Sequence, residues 1–147
     1  MGLLQSGRIE ELSCQEAWAR LVADSSTVLV DVRTQAEWAF VGLADLSGIG
    51  KEPVLVEWSN FPSSRVDAHF VEKLDTALKE RGVGRGDEVL FLCRSGGRSR
   101  MAAEAMAGAG YTRCRNVAEG FEGPLDDSRH RGTRSGWKTA GLPWVQG

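Results

Sequence analysis

Short β-branched, apolar runs alternate along this chain with stretches whose apolar residues recur at helical spacing. Ser13-Cys14-Gln15-Glu16 has the form of a capping box. Behind it, Ala17, Trp18, Leu21 and Val22 fall on one helical face. Thr27 to Val30 predicts a strand ending at Asp31. Arg33 to Val41 reads as a short helix or turn. The Gly-rich segment Gly42 to Glu52 reads as loop, and Pro53 to Trp58 as a second strand. The spacing of Phe70, Val71, Leu74, Ala77 and Leu78 predicts a helix from about Val66 to Arg81, ended by Gly82, Gly84 and Gly86. Glu88 to Leu92 is a third strand. After a loop from Cys93 to Ser99, an alanine-rich helix runs to about Ala109. Thr112 to Val117 is a fourth, shorter strand. From Glu119 the chain is rich in glycine and charge, with Trp137 and Trp144 as anchors.

Apolar strands alternating with helices predict an α/β fold, a parallel sheet with helices on both faces. Ligands of such sheets sit beyond the carboxyl ends of the strands. Asp31, Trp58 and Cys93 all fall there. The length of 147 residues fits one domain that folds without disulfides or metal. Residues from about Glu119 to Gly147 are expected to be an irregular tail packed on it.

A net charge of −2 argues against a general polyanion binder, and no nucleic-acid signature is visible. No apolar run is long enough for a membrane span, and the N-terminal stretch lacks the core of a signal peptide. Gly2 and Ser6 match the short myristoylation pattern, which is loose enough to arise by chance. A cytoplasmic protein is therefore expected. Cys14, Cys93 and Cys114 are far apart, and neither histidine, His69 or His130, completes a zinc-like spacing. Free thiols are expected, with no metal and no cofactor.

The most informative segment is Cys93-Arg94-Ser95-Gly96-Gly97-Arg98-Ser99. A cysteine ends a buried strand, small residues and two arginines follow, and a helix begins. Gly96 and Gly97 permit backbone conformations that turn consecutive N–H groups inward. Such a nest beside a helix N-terminus binds anions, and a field of this kind favours thiolate over thiol. Arg94, Arg98 and Arg100 add positive charge. A core cysteine has no need of these neighbours, so Cys93 is the candidate nucleophile. Cysteine-dependent phosphatases place an arginine six positions after the cysteine; here that position is Ser99. The cradle is one residue short for phosphate and suits a single sulfur atom.

With these residues in place, the chain resembles the single-domain rhodaneses, and among them a bacterial rhodanese-like subgroup. DVRTQAEW at Asp31 to Trp38 is similar to that family's first signature, and CRSGGRS to the active loop of its thiosulfate-using members. NVAEGFEG at Asn116 to Gly123 resembles the stretch after the last strand, and GWKTAGLPW the C-terminus of that subgroup. The likeness runs from about Arg8 to Val145. It implies a parallel sheet of about five strands and a thiosulfate sulfurtransferase. Cys93 would be the catalytic nucleophile, and Arg94, Ser95, Gly96, Gly97, Arg98 and Ser99 would hold the anionic sulfur. Arg98 is expected to take the donor's anionic end, with Arg94 second. The implied partners are a small donor such as thiosulfate, a cyanide or thiol acceptor, or a protein that gives or receives sulfur. The alternative is a persulfide carrier or interaction module. One departure is Gly42-Leu43-Ala44-Asp45-Leu46, where many members carry a Gly-His-Ile-Pro-Gly run.

The remaining polar residues have plain readings. Asp31 and Arg33 are structural, with Arg33 and Glu37 spaced to pair on one helical turn. Cys114 is expected to be a spectator thiol, the alternative being a resolving cysteine that attacks a Cys93 persulfide. Cys14 is likewise expected to be a spectator, although a helix N-terminus can favour its ionisation. His69 and His130 are solvated. Trp58 and Trp137 are packing residues that could also wall the pocket.

Overall fold

The structure, a computed structural model, describes residues 9–60, 63 and 65–146. Gly2 and Ser6 lie outside them. The strands are β1 (Glu10–Leu12), β2 (Val28–Asp31), β3 (Leu43–Ala44), β4 (Val54–Leu55), β5 (Glu88–Leu92), β6 (Arg113–Val117) and β7 (Trp144–Val145). The helices are α1 (Cys14–Ala23), α2 (Gln35–Phe40), α3 (Phe70–Glu80) and α4 (Gly97–Gly108), with a 3-10 turn at Ser47–Ile49. Five strands form one parallel sheet in the order β1-β6-β5-β2-β4, while β3 and β7 pair antiparallel beside it.

Strand β5 sits at the centre, and all five of its residues are buried. Alternate residues point to opposite faces. Leu90 and Leu92 join Leu29, Leu12 and Val117 against α1, Phe121 and Trp137. Val89 and Phe91 join Val30 and Val32 against Phe70, Leu74 and Leu78 of α3 and Ala102, Ala103 and Met106 of α4. Trp137 is fully buried as an anchor: its ring meets Trp18 edge-on, and Nε1 donates to the Pro143 carbonyl. Buried Glu88, at the head of β5, is held by Arg20, Thr27 and Arg115.

Several expected boundaries shift. Strand β1 was not legible in the pattern: three residues, two of them exposed glutamates, form the sheet edge beside β6. Gly42 to Glu52 is not all loop, because Leu43–Ala44 pairs with Trp144–Val145. The Pro53 to Trp58 strand contracts to Val54–Leu55, although the Val56 and Trp58 amides still donate to the Asp31 and Val32 carbonyls. The long helix begins at Phe70 rather than near Val66. The chain from Val66 to Asp67 is tied back instead, by a Ser59–Val66 bridge and an Asp67 amide donating to the Trp58 carbonyl. Val22, expected on the buried face of α1, is 54% exposed. Trp144 is only half buried and packs edge-on against Phe121.

Candidate active site

The carboxyl end of β5 delivers Cys93 into the turn that opens α4. The residue is 1% exposed, and its Sγ accepts a hydrogen bond from the Gly96 amide at 3.1 Å. Helix α4 starts at Gly97 with no side-chain cap, and its first intrahelical bond runs from the Arg100 amide to the Gly96 carbonyl. The Gly97, Arg98 and Ser99 amides therefore have no partner within the helix, the condition that draws anions to helix N-termini.

Glycine is required at two places here. Gly96 has φ +103°, and a Cβ on it would lie 2.2 Å from the Ala118 carbonyl oxygen. Gly120 has φ +73°, and its Cβ would lie 2.4 Å from the Arg94 carbonyl oxygen. The segment after β6 is thus pressed onto the cysteine loop, and the Phe121 amide donates to the Cys93 carbonyl at 2.8 Å. Gly97, expected to share the unusual backbone of Gly96, has ordinary φ and open space around it.

The two loop arginines differ. Arg98 is paired with Glu37 of α2 through hydrogen bonds of 2.7 and 2.9 Å. The Glu37 carboxylate raises the pKa of Arg98 above its ordinary value. The expected Arg33–Glu37 pairing does not form. Glu37 is placed instead by a capping box with Thr34, and Arg33 turns to Asp31. Arg94 is exposed, as is Ser95, and among the described residues its guanidinium has no carboxylate partner. Arg94 and Arg98 line a pocket of about 630 Å³ walled by Trp58, Val66 and Met101. Trp58 also packs edge-on against Phe70, at 4.9 Å between ring centroids, so it serves both core and pocket. Arg100 points elsewhere, to Glu11 and Glu104.

Behind the cysteine lies a buried polar chain. Ser99 Oγ is 3.2 Å from Cys93 Sγ and 2.5 Å from Asn116 Oδ1. Asn116 Nδ2 donates to Glu11 and to the Gly96 carbonyl. Sequence reasoning gave no role to Asn116, Glu11 or the Glu37–Arg98 pair. The signals were present: an asparagine next to the last residue of a predicted strand, where the sheet's carboxyl edge lies, and Thr34-Gln35-Ala36-Glu37, a second capping-box pattern.

Asp31 and Arg33 are both buried and bind each other. The Arg33 guanidinium also donates to the Gly42 carbonyl and stacks on Phe121 at 4.3 Å. They brace the connection to β3. Cys14 does not gain from its helix N-terminus. Burial, and then the Glu119 carboxylate, push its pKa up to about 12, and burial pushes Cys114 up to about 12. His69 and His130 are exposed, as the sequence suggested.

A parallel sheet with a cysteine loop at its carboxyl edge, leading into a helix, defines a rhodanese-like α/β protein. More narrowly, the chain belongs to the family described as the STR4 middle domain, which matches residues 9–147. It is similar to Rv0390 from M. tuberculosis, with 45% identity and a TM-score of 0.82, covering 94% of this chain and 98% of that one. It is 35% identical to the uncharacterized protein RP600 of Rickettsia prowazekii, over 92% of this chain and 97% of that protein. It is 31% identical to thiosulfate sulfurtransferase 18 of Arabidopsis thaliana, over 81% of this chain and 82% of that protein. These relatives place it in a sulfur-transfer family. Among the described residues, no helix is long and apolar enough to cross a membrane.

Proposed function

We propose that this protein moves sulfane sulfur from thiosulfate or a similar donor to a thiophilic acceptor through a persulfide on Cys93. The Cys93 thiolate attacks the outer sulfur of thiosulfate. The new S–S bond forms as the old one breaks, and sulfite leaves with the electron pair. Cyanide or a thiol then takes the outer sulfur, returning the electron pair to Cys93 Sγ. This is covalent, two-step catalysis. Its main support is the meeting of Cys93 Sγ with the Gly96 amide and the uncapped first turn of α4. The outer sulfur of the persulfide carries the charge, and those amides are placed to receive it. Arg94, exposed at the pocket, takes the donor's anionic end. Arg98, expected first for that role, shares its charge with Glu37 and holds the loop.

Intact-protein mass spectrometry of wild type and Cys93→Ser, before and after thiosulfate, tests this. The expected result is one added sulfur atom on wild type alone, removed by cyanide. Loading of Cys93→Ser, or of neither protein, refutes it.

A second reading is a persulfide carrier loaded by a partner protein in the cytoplasm. It is favoured by the exposed side chains of Val66 and Met101, apolar residues at the pocket that also holds Arg94. Rapid loading from a protein persulfide, with poor turnover of thiosulfate, would select it.

A further inference from the structure

We propose that Asn116 is a positioning residue that turns the Ser99 hydroxyl away from Cys93 and so favours the persulfide over the free thiolate; this rests on the sulfur-transfer reading above. The argument is one of counting protons. Asn116 Nδ2 lies 2.8 Å from Glu11 Oε1 and 3.1 Å from the Gly96 carbonyl oxygen. A carboxylate and a carbonyl only accept, so the amide must present its NH2 group to them. Its Oδ1 then faces Ser99 Oγ at 2.5 Å. That oxygen also only accepts, so it takes the Ser99 proton. A serine hydroxyl has one proton to give. Ser99 Oγ also lies 3.2 Å from Cys93 Sγ and 3.2 Å from the Gly96 carbonyl oxygen, but it offers both only lone pairs. Ser99 and Asn116 are buried, which keeps bulk water from supplying a replacement donor.

The consequence follows from where the negative charge resides. In the free thiolate the charge is on Sγ, and on its Ser99 side it meets a lone pair. In the persulfide the charge moves to the outer sulfur, and the bridging Sγ is a neutral divalent atom that tolerates that lone pair. The orientation therefore disfavours Sγ as a leaving group when an acceptor removes the outer sulfur. With cyanide, the cyanide carbon bonds to the outer sulfur, the S–S bond breaks, and its electron pair returns to Sγ. Persulfide and cyanide become thiolate and thiocyanate, and no proton moves. Asn116 lengthens the life of the loaded enzyme by withholding a hydrogen bond from this step.

The test uses full-length protein preloaded with thiosulfate and freed of sulfite. Release to cyanide is followed in a single turnover by intact mass and thiocyanate formation. Ser99→Ala keeps the main-chain amide of the cradle and, towards Sγ, removes only a lone pair. It is expected to release no slower than about half the wild-type rate, because no donated hydrogen bond is lost. Asn116→Leu is expected to release at least about threefold faster, because the freed Ser99 proton turns to the developing charge on Sγ. The double variant Ser99→Ala/Asn116→Leu is expected to lose that gain. A slowing of more than about twofold in Ser99→Ala overturns the inference, since Ser99 would then already donate to Sγ. Asn116→Leu with a gain of less than about threefold overturns it too, as does a gain that survives in the double variant and so reports only a loosened loop. If thermal melts show that Asn116→Leu does not fold, Asn116→Ala, with its own Ser99→Ala double variant, takes its place in the same comparison. Wild type that takes up sulfur neither from thiosulfate nor from an alkyl persulfide overturns the sulfur-transfer reading, and this inference with it. That failure is seen on wild type alone, before any variant is compared.

Discussion

The Arg98 guanidinium grips the Glu37 carboxylate with two hydrogen bonds, 2.7 and 2.9 Å long, and so ties the helix that follows the cysteine loop to the helix that follows β2. Both side chains are largely shielded from water, at 24% and 19% exposure. The pair fixes one wall of the pocket and leaves Arg94 as its more exposed cation.

Glu37→Gln is expected to lower stability by about 1.5–3 kcal/mol near neutral pH, the range for hydrogen bonds to charged groups. Burial works to raise the pKa of Glu37, but Arg98 and the Thr34 cap outweigh it and hold the carboxyl below its ordinary range. A carboxyl held low in the native state stabilises above its unfolded pKa, and that contribution is lost as pH falls through the native value. The difference between wild type and Glu37→Gln should therefore shrink below about pH 4.3, the ordinary glutamate value. Urea denaturation at a series of pH values measures it. A difference that persists or grows on acidification would contradict the ion-pair account.

Three glycines close to one another should respond differently to alanine. Gly96→Ala and Gly120→Ala each combine a positive φ with a Cβ placed 2.2 or 2.4 Å from a backbone oxygen. Backbone strain and overpacking together should cost at least about 2 kcal/mol. Gly97→Ala meets no atom within 4 Å and has ordinary φ, so it should be neutral or stabilise by about 0.5 kcal/mol. Thermal melts of the three variants make the comparison, and equal losses at all three would refute the packing explanation.

Much of the scaffold was legible because β5 and the cysteine loop carry strong local signals. Glu88 to Leu92 is bounded in the sequence as it is in the structure. Ser13 and Glu16 form the expected capping box. Strand β1 was hidden because its role is set by its partner: Glu10 and Glu11 are strand residues only because Arg115 and Asn116 lie beside them. The β3–β7 ribbon joins segments about a hundred residues apart in sequence, and its two-residue strands carry no periodicity to read. The candidate nucleophile and its arginines were visible as a motif, but their bonding was not. Arg33 and Glu37 have suitable helical spacing, yet Arg33 lies before the helix begins, where Asp31 captures it. Long-range pairing, as in Glu37 with Arg98, leaves no local trace.

Cys14 and Cys114 should be chemically silent in the folded protein. Both thiols are buried and have pKa values of about 12, so almost no thiolate exists at either site near neutral pH. Native Cys93→Ser treated briefly with iodoacetamide at about pH 8 should gain no adduct, whereas the same protein in denaturant should gain one at each remaining cysteine. Mass spectrometry reads both states. Labelling of Cys14 or Cys114 in the native protein would show that burial does not protect it.

Arg94 and Arg100 are both exposed arginines near the loop, but their surroundings differ. Arg94 lines the pocket, and among the described residues it has no carboxylate partner. Arg100 is engaged by Glu11 and Glu104. If Arg94 meets the donor's anionic end in both ground and transition state, its loss removes uniform binding, which raises KM and leaves kcat nearly unchanged. Arg94→Ala should raise KM for thiosulfate about tenfold in low salt, with kcat within about threefold of wild type. The KM difference should narrow as salt rises, because the charge is exposed and screened. Arg100→Ala should leave both constants near wild type. Steady-state thiocyanate formation at two ionic strengths supplies the measurement. A fall in kcat for Arg94→Ala with unchanged KM would move Arg94 from donor binding to the transition state, while equal effects in both variants would mean that only the general positive charge of the loop matters.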